Sequence, residues 1–210
     1  MYTPNSPTPK NGLILPPAAS IFQSYMKKSL QKGMTEFLCG VSSRAYTTKK
    51  EAHADIARIR HEFGVRPPEL LNVYTLAQAV KAGHVIMPCA LDGKGTKKSN
   101  WVSQQVFFVD VDNKPNTEIF QVKDALERYY AAGCWPDILY FTFSATLEVP
   151  RYRLVFALEH PIKDYDKAAN FAETLCKIAN SRAVDSVSKN LVQNYFGSNG
   201  EVWPCFAMMN

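Results

Sequence analysis

The sequence predicts an α/β (α+β) protein in two parts, an N-terminal α/β unit packed on a more regular sheet, and three observations carry that prediction. Helix-period and strand-period segments alternate along all 210 residues, 46% of the residues are hydrophobic, and no apolar run reaches the roughly 18 residues of a membrane span. The charge is unevenly distributed: residues 1–100 carry 14 basic and 6 acidic side chains, a net +8, and residues 101–210 carry 10 and 13, a net −3. A basic part joined to a slightly acidic part implies that one meets a polyanion while the other does something different.

Five of the 13 prolines fall in the first 17 residues, so 1–17 reads as a flexible arm ahead of a domain spanning 18–210, divided into 18–100 and 101–210. From Ala18, Ile21, Phe22, Tyr25 and Leu30 recur at helical spacing with Lys27, Lys28 and Lys32 between them, and Gly33 is the stop. Phe37–Val41 reads as a strand. Thr48-x-x-Glu51 is a capping box opening a helix through Ala54, Ile56, Ile59 and Phe63, closed by Gly64 and Pro67-Pro68. A helix over Leu76–Ala82 and a short apolar run over Val85–Met87 complete the first part.

In the second part Gln104–Val111 is a strong strand and Thr117–Ala132 an amphipathic helix, with Gly133 as its stop. Strands follow at Ile138–Ser144 and Tyr152–Leu158, then a helix over Ala168–Ala179 and a short strand near Ala183–Asp185. That order is the split β-α-β of a ferredoxin-like, or RRM-like, sheet. Cys39, Cys89, Cys134, Cys176 and Cys205 are scattered and form no C-x-x-C pair, so they read as reduced, mostly buried thiols of a cytoplasmic protein; no export signal precedes them.

The sharpest chemical feature is Val106-Phe107-Phe108-Val109-Asp110-Val111-Asp112. Residues two apart on a strand share a face, so the carboxylates of Asp110 and Asp112 project together and repel unless a cation sits between them. A pair of divalent metal ions suits that spacing; a strand end turned by Asn113, Lys114 and Pro115 is the alternative. Pro150-Arg151-Tyr152-Arg153-Leu154-Val155-Phe156 places Arg151 and Arg153 on one face, where paired guanidiniums suit a triphosphate, although edge strands also carry such arginines simply for solvation. Ser144 could donate to a phosphate or merely begin a turn. Asp185, after Ala183-Val184, is positioned as a third strand-end carboxylate. Gly93-Lys94-Gly95-Thr96-Lys97-Lys98-Ser99 fails the G-x-x-x-x-G-K-[ST] spacing of an ATPase phosphate loop.

The run from Lys97 through Trp101 to Asn113, followed by Phe141-Thr142-Phe143-Ser144 and Pro150 to Phe156, resembles the primase domain of phage- and plasmid-encoded replication proteins, in the archaeo-eukaryotic primase (primase-polymerase) superfamily; the likeness covers about Ala82 to Gly200. The resemblance implies that Asp110, Asp112 and Asp185 bind two catalytic Mg²⁺ or Mn²⁺ ions. It further implies template-dependent nucleotidyl transfer from NTP or dNTP on single-stranded DNA, often beside a replicative helicase, in a bacterial host cell. The family's second motif has a Ser followed two residues later by a His; this chain has Ser144 and then Thr146, so Arg153, or in second place Arg151, is expected to make that phosphate contact. Lys94, Lys97 and Lys98 become candidate template or nucleotide contacts. The lysines and arginines of the predicted helices are candidates of the same kind, or a solvated face. The rival readings are another metal-dependent phosphoryl-transfer enzyme, a nuclease or nucleotide cyclase, and a non-catalytic nucleic-acid-binding module.

Overall fold

The computed structural model describes residues 34–205; the arm over 1–17, the predicted helix from Ala18 with its lysines, and Phe206 lie outside the described residues. The architecture is α+β, built on two antiparallel sheets. The smaller sheet has the order β2-β1-β3, from β1 (Phe37–Ala45), β2 (Glu69–Leu71) and β3 (His84–Met87). The larger comprises β4 (Cys89–Leu91), β5 (Trp101–Asp112), β6 (Ile138–Phe141), β7 (Arg151–Ile162) and β8 (Val202–Pro204), in the order β4-β5-β7-β6-β8. The helices are α1 (Lys49–Ala54), α2 (Ile56–Val65), α3 (Val73–Lys81), α4 (Val122–Ala131) and α5 (Tyr165–Ala179).

The heart of the large sheet is the split unit β5-α4-β6-β7-α5, with β7 inserted between β5 and β6 and antiparallel to both. The fourth strand expected near Ala183–Asp185 is reduced to a single antiparallel bridge, Val111↔Val184. Its two backbone bonds run from Asp185 N to the Asp110 carbonyl at 2.9 Å and from Asp112 N to the Ala183 carbonyl at 2.8 Å. Ladder pairing stops there because Asp185 turns the chain at once: its carboxylate accepts from Val187 N at 3.0 Å and opens the one-turn helix Ser186–Lys189.

Both faces of β5 are covered, which is why its sequence is a continuous apolar run rather than an alternating one. Phe107, Val109 and Val111 join Tyr152, Leu154 and Phe156 of β7 against α4 and α5. On the opposite face Val106 and Phe108, with Val155, Ala157, Ile138 and Tyr140, meet Phe37 and Cys39 of β1, four residues of α3, and Tyr195. Tyr129 at the heart of the first cluster satisfies its hydroxyl on the Leu175 carbonyl at 2.8 Å, so a bulky ring is buried without an orphaned polar group.

Three departures from the expected elements have local causes. The helix expected to open at Thr117 starts at Val122, because fully buried Asn113 engages the backbone of Phe120 in both directions, accepting from its N–H at 2.9 Å and donating to its carbonyl at 3.1 Å. That holds 113–120 as a loop. The helix opened by Thr48 divides at Asp55, whose carboxylate turns back to Tyr46 OH at 2.7 Å and to Arg58. Strands β2, β4 and β8, three residues each, are too short to show a period of two in the sequence.

Candidate functional site

Asp110 and Asp112 lie at the C-terminal end of β5 on the face continued from Val106 and Phe108, where the covering layer ends. Register places an arginine opposite each: Asp110↔Arg153 and Asp112↔Arg151. Arg153 donates from Nη2 to Asp110 Oδ2 at 3.0 Å, and Arg151 Nε lies 3.0 Å from Asp112 Oδ1. Lys114 completes the neutralisation on Asp112 Oδ2. The acidic pair thus meets its cationic partners across the strand, an arrangement that directly opposed residues permit.

The two arginines differ in setting. Arg153 is only 8% exposed and is held on three sides, donating from Nη1 to the Phe196 carbonyl at 2.6 Å and to Tyr140 OH at 3.2 Å, with the Tyr195 ring 5.4 Å away. Its buried Nε has no partner among the described residues. Burial works against its charge, but the Asp110 carboxylate and Tyr140 hydroxyl outweigh that, and its pKa is raised. Burial, with Asp110 nearby, also pushes the Tyr195 hydroxyl well above its ordinary value, so the ring lining this charge pair stays neutral. Arg151 is half-buried and also donates to the Asn113 carbonyl at 3.1 Å.

Asp185 enters through the backbone. Because Val184 opposes Val111, Asp185 opposes Asp110, and directly opposed residues share a face, so three carboxylates occupy one face of neighbouring segments. Ser188, in the one-turn helix that Asp185 caps, accepts from Asp110 N at 2.9 Å and fixes the backbone beneath the carboxylate. Neither Ser188 nor the Tyr140–Tyr195 pair carries a sequence signal: each is joined to Asp110 or Arg153 only by long-range packing.

The remaining candidates are more dispersed. Ser144 is half-buried in the turn after β6, its Oγ 3.3 Å from Thr142 Oγ1. Lys94, Lys97 and Lys98 lie between β4 and β5, at the end of β5 remote from the aspartates; Lys94 approaches Asp92 at 3.9 Å, and Lys98 Nζ sits 4.1 Å over the Tyr165 ring.

The divalent ions implied by the resemblance can be tested against this donor set. All three groups are carboxylates, the hard oxygen ligands that Mg²⁺ and Mn²⁺ take. Asp110 Oδ1 and Asp185 Oδ2 accept no hydrogen bond among the described residues, which leaves coordinating capacity on each side of the bridge. In donor type the residues fit, with Asp112 holding Arg151 on one oxygen and Lys114 on the other. Among the described residues, however, no three His, Cys, Asp or Glu side chains are already gathered into a metal cage, since Asp185 is turned onto its capping bond.

No protein-family model matches the chain, and no curated protein matches it. Among solved structures the chain is similar to the AEP domain of the cyanophage S-2L primase-polymerase (PrimPol), at 12% sequence identity over 89% of each chain and a TM-score of 0.43. At that degree of likeness the functional reading falls to the chemistry of the site itself. No helix among the described residues is long and apolar enough to cross a membrane.

Proposed function

We propose that the protein is a primase-polymerase that extends a strand by template-dependent nucleotidyl transfer, with Asp110 and Asp112 as its principal metal ligands and Asp185 as the third. The observation that carries this reading is the register: a carboxylate pair opposed by an arginine pair, with a third carboxylate brought onto the same face by the Val111↔Val184 bridge. Bound Mg²⁺ or Mn²⁺ would supply activation of the attacking hydroxyl and stabilisation of the leaving phosphate.

The protein's own groups then have distinct tasks. Arg153, enclosed and bonded to Asp110, is a positioning residue: it holds that carboxylate in one orientation. Arg151, the more accessible guanidinium, reaches phosphate oxygens of the incoming NTP or dNTP, with Ser144 as a further donor. Ser188 fixes the Asp110 backbone. Lys94, Lys97 and Lys98 contact single-stranded DNA, and the exposed bases of the N-terminal unit extend that surface. A helicase acting on the same strand is the partner that such a reaction calls for.

Incubation with single-stranded template, labelled nucleotides and Mg²⁺ or Mn²⁺, beside an Asp110→Ala/Asp112→Ala variant, tests this reading. It expects metal-dependent oligonucleotide products that the variant does not make. Cyclic product without template would instead identify a nucleotide cyclase, and shortened template a nuclease. Template binding with no incorporation, unaltered in the variant, would identify a binding module.

A further inference from the structure

A second polar site lies apart from the carboxylates. Arg60 on α2, Thr96 and Lys98 from the β4–β5 connection, and Asn190, Gln193 and Asn194 line a cleft of about 340 Å³. Neither Arg60 nor Lys98 forms an ion pair with an acidic side chain among the described residues; Lys98 is steadied instead on the Tyr165 ring. The wall bearing Lys98 is fixed by a backbone contact. Gly95 donates to the Gly64 carbonyl at 3.1 Å, and a Cβ at Gly64 would meet Gly95 Cα at 2.9 Å, so the loop sits on the end of α2 only because position 64 lacks a side chain. Asp92 accepts from Lys94 N at 3.0 Å and donates its own N–H to the Asn100 carbonyl at 2.9 Å, closing the loop at its base.

The far wall is tied to the proposed active site. Asn190 follows Asp185 by five residues, most of them in the one-turn helix Ser186–Lys189, so the cleft begins roughly 10 Å along the chain from that carboxylate. Two cations without acidic partners among the described residues and three amide side chains, with Val192 the one apolar lining residue, match a phosphodiester backbone with its sugar and base edges. They do not match an apolar ligand.

We infer that this cleft is a metal-independent clamp for one segment of single-stranded nucleic acid, with Arg60 and Lys98 gripping its phosphates while the strand passes toward Asp110 and Asp112. The inference rests on the primase-polymerase reading for the strand's destination, not for its binding. Part of the net +8 of residues 1–100 is thereby assigned to a built site rather than to a diffuse basic surface.

The test is fluorescence anisotropy with a labelled oligo-dT of roughly 16 nucleotides, in EDTA and in the Asp110→Ala/Asp112→Ala background, so that neither metal nor catalysis contributes. Adding Arg60→Ala/Lys98→Ala should weaken binding roughly tenfold and lower the slope of log affinity against log salt by about 1.4, the share of two phosphate contacts on a single strand. The charge-preserving pair Arg60→Lys/Lys98→Arg should retain most of the affinity. Unchanged affinity and slope in the alanine pair would overturn the clamp. Displacement of the strand by equimolar free nucleoside triphosphate, seen with Arg60 and Lys98 intact and abolished without them, would also overturn it by assigning the cleft to a mononucleotide. Either result leaves the incorporation assay free to succeed or fail on its own.

Discussion

The molecule contains two networks in which acidic groups meet arginines, and they are built differently. In the N-terminal unit, Glu62 is filled: it accepts from Ser43 N at 2.6 Å and Ser43 Oγ at 3.0 Å, and both Arg58 and Arg66 pair with it. Asp55 beside it takes Tyr46 OH and two nitrogens of Arg58 on a single oxygen. These carboxylates lock the end of β1 to α2. On β5, by contrast, Asp110 has one arginine on one oxygen, its backbone N–H is satisfied independently by Ser188, and its second oxygen accepts nothing among the described residues. Glu62 has both oxygens taken, whereas Asp110 is held in place with an oxygen to spare and can still bind something. On the proposed function, two similar-looking charge clusters would thus serve stability in one region and chemistry in the other.

The largest expected effect separates the two networks by activity. Asp110→Asn should lower nucleotide incorporation by roughly 1,000-fold or more, the scale of several kcal/mol of lost charge stabilisation, while Glu62→Gln leaves incorporation within about twofold; steady-state incorporation assays read both. The next effect is on stability. Arg153→Met strands a partly buried carboxylate and should cost about 3 kcal/mol in denaturant unfolding, while adding Asp110→Leu should recover most of that loss, because the penalty lies in the unpaired charge. Recovery of stability without recovery of activity would mark the pair as a functional device. Glu62→Ala should cost about 2 kcal/mol, since it strips the acceptor from Ser43 N and leaves incorporation near the parent value.

The smallest effect is pH-dependent. Hydrogen bonds from Arg58 and then Tyr46 hold the Asp55 carboxyl down at about 2, below the unfolded value of about 3.9. A depressed folded-state pKa stabilises the fold fully above the unfolded value and loses that contribution as pH falls through about 2. The stability gap between the parent and Asp55→Asn, followed by acid titration of unfolding, should therefore be constant above about pH 5 and shrink through that window. A gap that widened on acidification would reverse the assignment.

Much of the central sheet was legible in the sequence because β5 and β7 are long and buried on both faces, which produces apolar runs that only a covered strand tolerates. The Asp110–Asp112 spacing and the Arg151–Arg153 alternation were legible for the same reason, since period two fixes a shared face without any tertiary information. What sequence could not supply was register. That Arg153 opposes Asp110, and that Asp185 arrives beside it through one bridge, depends on pairing between residues 43 and 75 positions apart. Asn113 is an instructive miss: as an isolated letter after the acidic pair it reads as a turn former, yet its buried amide organises the whole 113–120 loop and delays α4. Arg60 could not be told from its solvated neighbours until Gly64 and Gly95 placed the lysine loop opposite it.

The most direct measurement of the central claim is Mn²⁺ binding followed by electron paramagnetic resonance in the parent, in Asp110→Asn/Asp112→Asn and in Asp55→Asn/Glu62→Gln. The account predicts that the β5 substitutions abolish Mn²⁺ binding while the N-terminal substitutions leave it intact, because Asp110 keeps a free oxygen with Asp185 opposite it, whereas both oxygens of Glu62 are taken. Mn²⁺ bound equally well by the Asp110→Asn/Asp112→Asn protein would contradict it.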